Sequence, residues 1–179
     1  FDRKSFQSYI CPMLANVKAK PDVTEIPYLE PTIYAARLRG QQTLTLFESV
    51  QRHEHLGRWS FLACNPSETL REEQGVAALE HIRLDIAKNV AEPLAGLPPF
   101  QGGWAGFISY DAGWTFQGAK HTPNFKALCP DLIFNRYETV LGFDHMQQRA
   151  FIIGPDAAQL EKLLKRQPQS TGSHVIEDW

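Results

Sequence analysis

Hydrophobic and polar side chains alternate along several short segments of the chain, and this alternation predicts β-strands. Two such segments, 43–50 and 58–64, are separated by a polar stretch that ends in Gly57, so we predict that they form a hairpin. The remaining predicted strands are 68–73, 104–110, 132–143 and 149–153.

Apolar residues spaced three and four positions apart predict helices in three places. Pro31 suits the first position of a helix because its missing N–H would have no partner there, and Gly40 is expected to end that helix. The spacing from Val76 to Val90 predicts a helix of about five turns, and Pro155 begins the third. The predicted apolar faces are Ile33, Ala36 and Leu38; Val76, Leu79, Ile82, Ile86 and Val90; and Leu160, Leu163 and Leu164.

The order of these elements is helix, hairpin, helix, strand, hairpin, helix. Neighbouring antiparallel strands with helices on one side are typical of the α+β class. We predict an extended lead-in with one short strand over residues 1–26, a domain over 27–166 that includes a long loop at 112–128, and a linker over 167–179.

Composition and charge narrow the function classes. The chain has 179 residues, of which 43% are hydrophobic, and a formal net charge of −2. A weakly acidic chain gives no electrostatic reason to expect a nucleic-acid or anionic-membrane partner. No apolar run approaches the ~20 residues that span a bilayer, and we expect a cytoplasmic protein. Three widely spaced cysteines, Cys11, Cys64 and Cys129, indicate reduced thiols.

Tests for catalytic and metal-binding patterns give negative results. The glycine-rich stretch 101–106 leads into a strand, whereas a nucleotide phosphate needs the N-terminus of a helix. His53 and His55 lack a third metal ligand and fit a solvated loop. Asp144 and His145 are explained more simply by a hairpin turn. We therefore predict no catalytic residue and no metal ion in this segment.

One cluster has two interpretations. Across the predicted hairpin, Ser49 and Arg58 can come close together, with Phe47 and Trp59 beside them. A guanidinium pairs well with a carboxylate and aromatic walls suit a flat ligand, so the cluster could bind an amino acid. Alternatively, Arg58 pairs with Glu48 on the surface while the two aromatic rings belong to the core. Spacing alone favours the second interpretation.

A series of motifs adds a resemblance. In chain order they are Leu46–Ser49, Gly57–Leu62 with Asn65-Pro66, Pro99–Asp111, and Pro130–Leu132 with Tyr137–Val140 and Phe143–His145. This series resembles the amino-terminal domain of the anthranilate synthase and aminodeoxychorismate synthase component I family over about residues 27–153. Phe47 and Trp59 stand where the family pattern has leucine and tyrosine, and Leu56 where some members have tyrosine.

The resemblance implies half of a two-domain, β-sandwich-like fold used by chorismate-utilising enzymes. The first partner that the resemblance implies for this segment is a carboxy-terminal domain that holds chorismate, Mg²⁺ and the catalytic residues. The second is a glutamine amidotransferase subunit that supplies ammonia. The full-length protein would then be an enzyme, and this segment would be inactive by itself.

The resemblance also implies a tryptophan-like pocket formed by Phe47, Glu48, Ser49, Leu56, Arg58 and Trp59. Trp104 after two glycines favours the branch that makes 4-amino-4-deoxychorismate for folate synthesis, which is our main interpretation. Glu48-Ser49 favours anthranilate synthase, in which tryptophan acts by feedback. The third alternative is a stand-alone amino-acid-binding regulatory module.

Overall fold

A computed structural model describes residues 21–49, 51–53, 56–73, 76–116 and 129–165, which form two antiparallel sheets and four helices. The strands are β1 (Val23–Ile26), β2 (Thr45–Phe47), β3 (Trp59–Ala63), β4 (Glu68–Glu72), β5 (Gly103–Ile108), β6 (Leu132–Tyr137), β7 (Val140–Asp144) and β8 (Arg149–Ile153). The helices are α1 (Pro31–Arg37), α2 (Ala78–Lys88), α3 (Ala112–Phe116) and α4 (Ala157–Leu164).

The larger sheet has the strand order β1-β8-β7-β3-β2, and its central strands β7 and β8 are buried on both faces. In β7, Leu141 and Phe143 face helices α1 and α4, and the ring of Tyr34 lies 5.8 Å from that of Phe143. Val140 points to the opposite face, where it packs with Phe151. Because each fully buried side chain of this size contributes about 1.5–3 kcal/mol, this double burial stabilises the centre of the fold.

The smaller sheet has the strand order β4-β6-β5, and α2 is held against it by polar contacts. The indole nitrogen of Trp104 donates to Asp85 Oδ2 at 2.9 Å, and Arg136 Nε lies 3.1 Å from the same oxygen. Tyr137, at the end of β6, connects the two sheets because its hydroxyl lies 2.6 Å from Thr45 Oγ1. The two sheets therefore face each other around Tyr137.

The predicted α+β class is confirmed, and so is the antiparallel pairing of the first hairpin, which joins β2 to β3. The helix at Pro31 forms as expected, and Gly40 follows it with a φ of 88°. Its buried face differs from the prediction because Ile33 is 41% exposed while Tyr34 is buried.

The predicted strand 132–143 is wrong as a single element. It is two strands, β6 and β7, which belong to different sheets and are separated by Glu138 and Thr139. Gly154 lies against this break, and a Cβ there would be 2.3 Å from the Glu138 carbonyl oxygen. Both strands are rich in apolar residues and almost contiguous, so the alternation of side chains gives no sign of the change of sheet.

Three further predictions need correction. The helix expected over 76–90 is α2, only 11 residues long, and Ile86 and Val90 on its predicted apolar face are 52% and 67% exposed. The loop predicted over 112–128 begins with the short helix α3, and β2 has three residues where eight were predicted. Polar contacts to Asp85, rather than a wide apolar stripe, hold α2 in place.

The predicted linker 167–179 and most of the predicted lead-in lie outside the described residues, and the domain limits stay predictions. Cys64 is buried, and burial raises the pKa of its thiol to about 11, whereas Cys129 is exposed. Within the described ranges, no helix has the length and apolar character needed to cross a bilayer.

Candidate functional site

The end of the β2–β3 hairpin brings Ser49 next to Gly57. Regular pairing stops at Phe47 and Phe61, and the chain then closes into a loop. Gly57 has a φ of 77°, and a Cβ there would lie 2.7 Å from Ser49 Oγ and 1.9 Å from the Gln51 carbonyl oxygen. Only glycine fits this position. The hydroxyl of Ser49 therefore lies beside the residue that precedes Arg58.

The guanidinium of Arg58 is held between a carboxylate and an aromatic ring. Its Nη2 lies 2.6 Å from Asp144 Oδ2, and its Nε lies 3.2 Å from both oxygens of the same carboxylate. Its central carbon lies 4.4 Å from the centroid of the Trp59 ring. Arg58 thus pairs with Asp144 and not with Glu48, whose carboxylate accepts a hydrogen bond from Arg52 at 3.1 Å.

Asp144 is buried and fully satisfied. Besides Arg58, its Oδ1 accepts hydrogen bonds from the backbone N–H groups of Met146 and Gln147, at 3.0 and 3.1 Å. Burial alone would raise the pKa of Asp144, but the bonds from Arg58 and from these amides outweigh it and hold the pKa below its usual value. The buried carboxylate is therefore ionised at neutral pH and fixed by its own turn.

His145 connects three parts of the chain. Its Nδ1 lies 2.7 Å from the Tyr28 hydroxyl and its Nε2 lies 2.7 Å from Ser60 Oγ, while its backbone N–H donates to the Arg58 carbonyl oxygen at 2.9 Å. Burial, with the charge of Arg52 as a smaller cause, lowers the pKa of His145. The neutral imidazole therefore links the segment before α1 to strand β3.

This histidine makes stability depend on pH. Because its folded-state pKa lies below the usual 6.5, the unfolded chain takes up a proton first as the pH falls. Stability is expected to decrease below about pH 6.5, by at most about 1.4 kcal/mol per pH unit for one proton. Thermal unfolding of the wild-type protein and of the neutral variant His145→Gln, at a series of pH values, measures this dependence. The stability of the variant should fall less steeply as the pH decreases. An equally steep fall would show that His145 is not the group responsible.

The Phe47 ring of the site is packed against the protein on its inner side and open to solvent on its outer side. Phe61 packs edge-on against Phe100, with ring centroids 5.6 Å apart, and the gap beneath Phe47 leaves no space for a water molecule. Phe47 itself is 42% exposed, and Leu56 in the loop is 66% exposed. A ligand can therefore contact Phe47 and Leu56 only on their solvent-exposed sides.

Sequence reasoning missed the roles of Asp144 and His145, which were interpreted as turn residues. Asp144 is the last residue of β7, in which every residue is buried, and His145 follows it directly. The available signal was the apolar run 140–143 that precedes them. A buried aspartate almost always has a partner. In the part of the chain that the structure describes, no three His, Cys, Asp or Glu side chains form a metal-binding group. An open groove of about 660 Å³ between residues 21–23 and 94–97 has no converging polar groups, and we assign no site there.

Comparisons with known proteins give a consistent result. The chain is 28% identical over 127 residues to the probable anthranilate synthase component 1 of Schizosaccharomyces pombe, a match that covers 70% of this chain and 26% of the relative. It is 28% identical over 152 residues to anthranilate synthase component 1 of Saccharomyces cerevisiae, which covers 78% of this chain and 30% of the relative. The chain thus spans about a quarter to a third of the length of these relatives.

A solved structure, anthranilate synthase component I from Streptococcus pneumoniae TIGR4, matches with a TM-score of 0.49 and 27% identity, over 79% of this chain and 35% of that one. No family model matches. The main interpretation, an aminodeoxychorismate synthase, finds no support in the names of the two yeast relatives, which fit the anthranilate alternative better. Both of these relatives are named component 1 of anthranilate synthase, at 28% identity to this chain.

Proposed function

We propose that this chain is the non-catalytic, ligand-binding part of a component I protein of the anthranilate synthase type. The names of its relatives favour this branch. The residue that favoured the other branch, Trp104, has a structural contact instead, because its indole nitrogen donates to Asp85 of α2. That contact attaches a helix to a sheet.

The proposed full-length protein makes anthranilate from chorismate, with ammonia delivered by a glutamine amidotransferase subunit. Chorismate and Mg²⁺ belong to a carboxy-terminal domain that follows this segment in the component I family. The segment itself contributes no catalytic group under this proposal, and we expect it to be inactive when expressed alone.

Tryptophan is the proposed ligand of this segment. The observation that supports it is the Arg58 guanidinium stacked 4.4 Å above Trp59, one residue from the contact between Gly57 and Ser49. A guanidinium binds the carboxylate of an amino acid. The exposed sides of Phe47 and Leu56 offer apolar surface for an indole ring.

The polar groups around the site suit the other end of an amino acid. The Ser49 hydroxyl can accept a hydrogen bond from an ammonium group, and the nearby Glu48 carboxylate adds negative charge. Glu48 is already paired with Arg52, at 3.1 Å, which limits how far its side chain moves. The six proposed residues therefore offer complementary partners for the carboxylate, the ammonium and the ring of tryptophan.

A product assay tests the branch. The full-length protein is given chorismate, Mg²⁺ and an ammonium salt, and the products are separated by chromatography. We expect anthranilate, identified by its fluorescence and mass. Formation of 4-amino-4-deoxychorismate would overturn this part of the proposal. Omission of chorismate is the control, because neither product can then form.

A further inference from the structure

We propose that Asp144 is a positioning residue of the tryptophan site: it holds the Arg58 guanidinium in the orientation that receives the carboxylate of the ligand. This inference rests on the proposed function, since it concerns the same site. It assigns a role to a residue that lies 86 positions away from Arg58 in the sequence and outside the six residues of the pocket.

The contacts of Asp144 place its carboxylate on one edge of the Arg58 guanidinium. Asp144 binds one edge of the guanidinium, through Nε and Nη2, and its own position is fixed by the amides of Met146 and Gln147. The carboxylate side chain is 3% exposed and therefore cannot reach a ligand, whereas 32% of the Arg58 side chain is exposed. Asp144 thus lies behind Arg58 as seen from solvent.

The contacts of Arg58 restrict the freedom of its long side chain. Arginine has many rotamers, but bidentate pairing with a carboxylate allows very few of them. The Trp59 ring covers one face of the guanidinium, at 4.4 Å. With an edge and a face both held, Arg58 is pre-organised, and pre-organisation favours binding because less motion is lost when the ligand arrives.

The neighbouring residue fixes the backbone at the same place. His145 N–H donates to the Arg58 carbonyl oxygen at 2.9 Å, and the His145 ring lies 2.7 Å from Ser60 Oγ. The last residue of β7 and the residue that follows it therefore hold both the side chain and the main chain of Arg58. A simple hairpin turn would require neither contact.

A second arginine, Arg149 at the start of β8, provides a comparison. Arg149 pairs with Glu25 at 2.8 and 2.9 Å and lies 4.7 Å over the Phe151 ring, so its contacts are of the same kinds. Both partners of that pair are largely exposed, at 42% and 52%. An exposed ion pair of this sort adds little to the stability of the protein and does not hold a side chain in one orientation. The Glu25–Arg149 pair is therefore a matched control.

The experiment compares two ligands of the full-length protein by calorimetry: L-tryptophan and tryptamine, which lacks the carboxylate. The wild-type protein is expected to prefer tryptophan. In Asp144→Asn, which keeps an oxygen for the two turn amides, this preference should decrease about tenfold, equivalent to about 1.4 kcal/mol, while the affinity for tryptamine stays the same. In the control Glu25→Gln the preference should not change.

Other outcomes would overturn the inference. An equal loss for both ligands in Asp144→Asn would mean that the residue only supports the fold, and a larger preference would mean that it competes with the ligand. In the Arg58→Gln background, Asp144→Asn should have no further effect on the preference, because it acts through Arg58. A further loss there would contradict that route.

Two controls separate the possible failures. If thermal unfolding shows that Asp144→Asn does not fold, Asp144→Glu replaces it. This variant keeps the negative charge but moves it by one methylene, so we expect a smaller loss of the preference for tryptophan. No loss in Asp144→Glu would overturn the inference. If the wild-type protein shows no preference for tryptophan, the proposed pocket itself is wrong and the role of Asp144 falls with it. A wild-type preference that survives in Asp144→Asn removes the positioning role alone.

Discussion

Replacing Gly106 with alanine is expected to destabilise the protein by about 3 kcal/mol or more, which corresponds to a fall of roughly 6–12 °C in thermal midpoint for a domain of this size. A Cβ at this position would lie 2.0 Å from the Ile133 carbonyl oxygen and 2.7 Å from the Phe134 Cα. Both atoms belong to the backbone of β6, so no side chain can rotate away. Strands β5 and β6 must therefore move apart at this position.

The matched control for this prediction is Gly113→Ala in α3. No atom lies within 4 Å of a Cβ at Gly113, so alanine is expected to be neutral or slightly stabilising there. Thermal unfolding followed by circular dichroism compares the two variants. A thermal midpoint for Gly106→Ala equal to that of the wild-type protein would contradict the register in which Gly106 lies opposite Phe134.

The largest expected effect on binding is that of Arg58→Gln, which should weaken the affinity for L-tryptophan by about 30-fold or more. Truncating one partner of a hydrogen-bonded charge pair costs about 2 kcal/mol or more, and 1.4 kcal/mol is a factor of ten. Glutamine keeps a polar side chain but loses both the charge and the fork that binds a carboxylate. Calorimetry of the full-length protein with L-tryptophan measures the change.

The variant Arg149→Gln is the control for Arg58→Gln. It removes an arginine at the start of β8 that also pairs with a carboxylate and stacks on a ring, Phe151. We expect its affinity for tryptophan to match that of the wild-type protein. Equal affinities in the wild-type protein, Arg58→Gln and Arg149→Gln would show that tryptophan binds without Arg58. The proposed pocket would then be wrong.

Local patterns were enough to predict the hairpin of β2 and β3, because a strand alternates with period two and glycine marks its turn. They were not enough to separate β6 from β7. Both are rich in apolar residues, and the change of sheet at Glu138 and Thr139 depends on which strand each one pairs with. The exposure of Ile86 had a similar cause, since α2 is held by polar contacts that periodicity does not detect.

The candidate site was partly predictable for the same reason. Ser49 and Arg58 are close because they flank one loop, which sequence spacing indicates. Their partners come from distant segments: Asp144 lies 86 residues from Arg58, and His145 lies 117 residues from Tyr28. No spacing rule connects residues this far apart, so the pairing of Arg58 with Glu48 was the simplest local alternative and it was not the one formed.

The strand order of the larger sheet has a consequence for how the chain folds during synthesis. β1 pairs with β8, and the ion pair between Glu25 and Arg149 joins residues 124 positions apart. The hairpin of β7 and β8 is local and is expected to form early, but β1 has no partner strand until β8 has left the ribosome. Because long-range pairings form slowly and leave strand edges exposed meanwhile, we expect β1 to join last and nascent chains to need protection from aggregation until then.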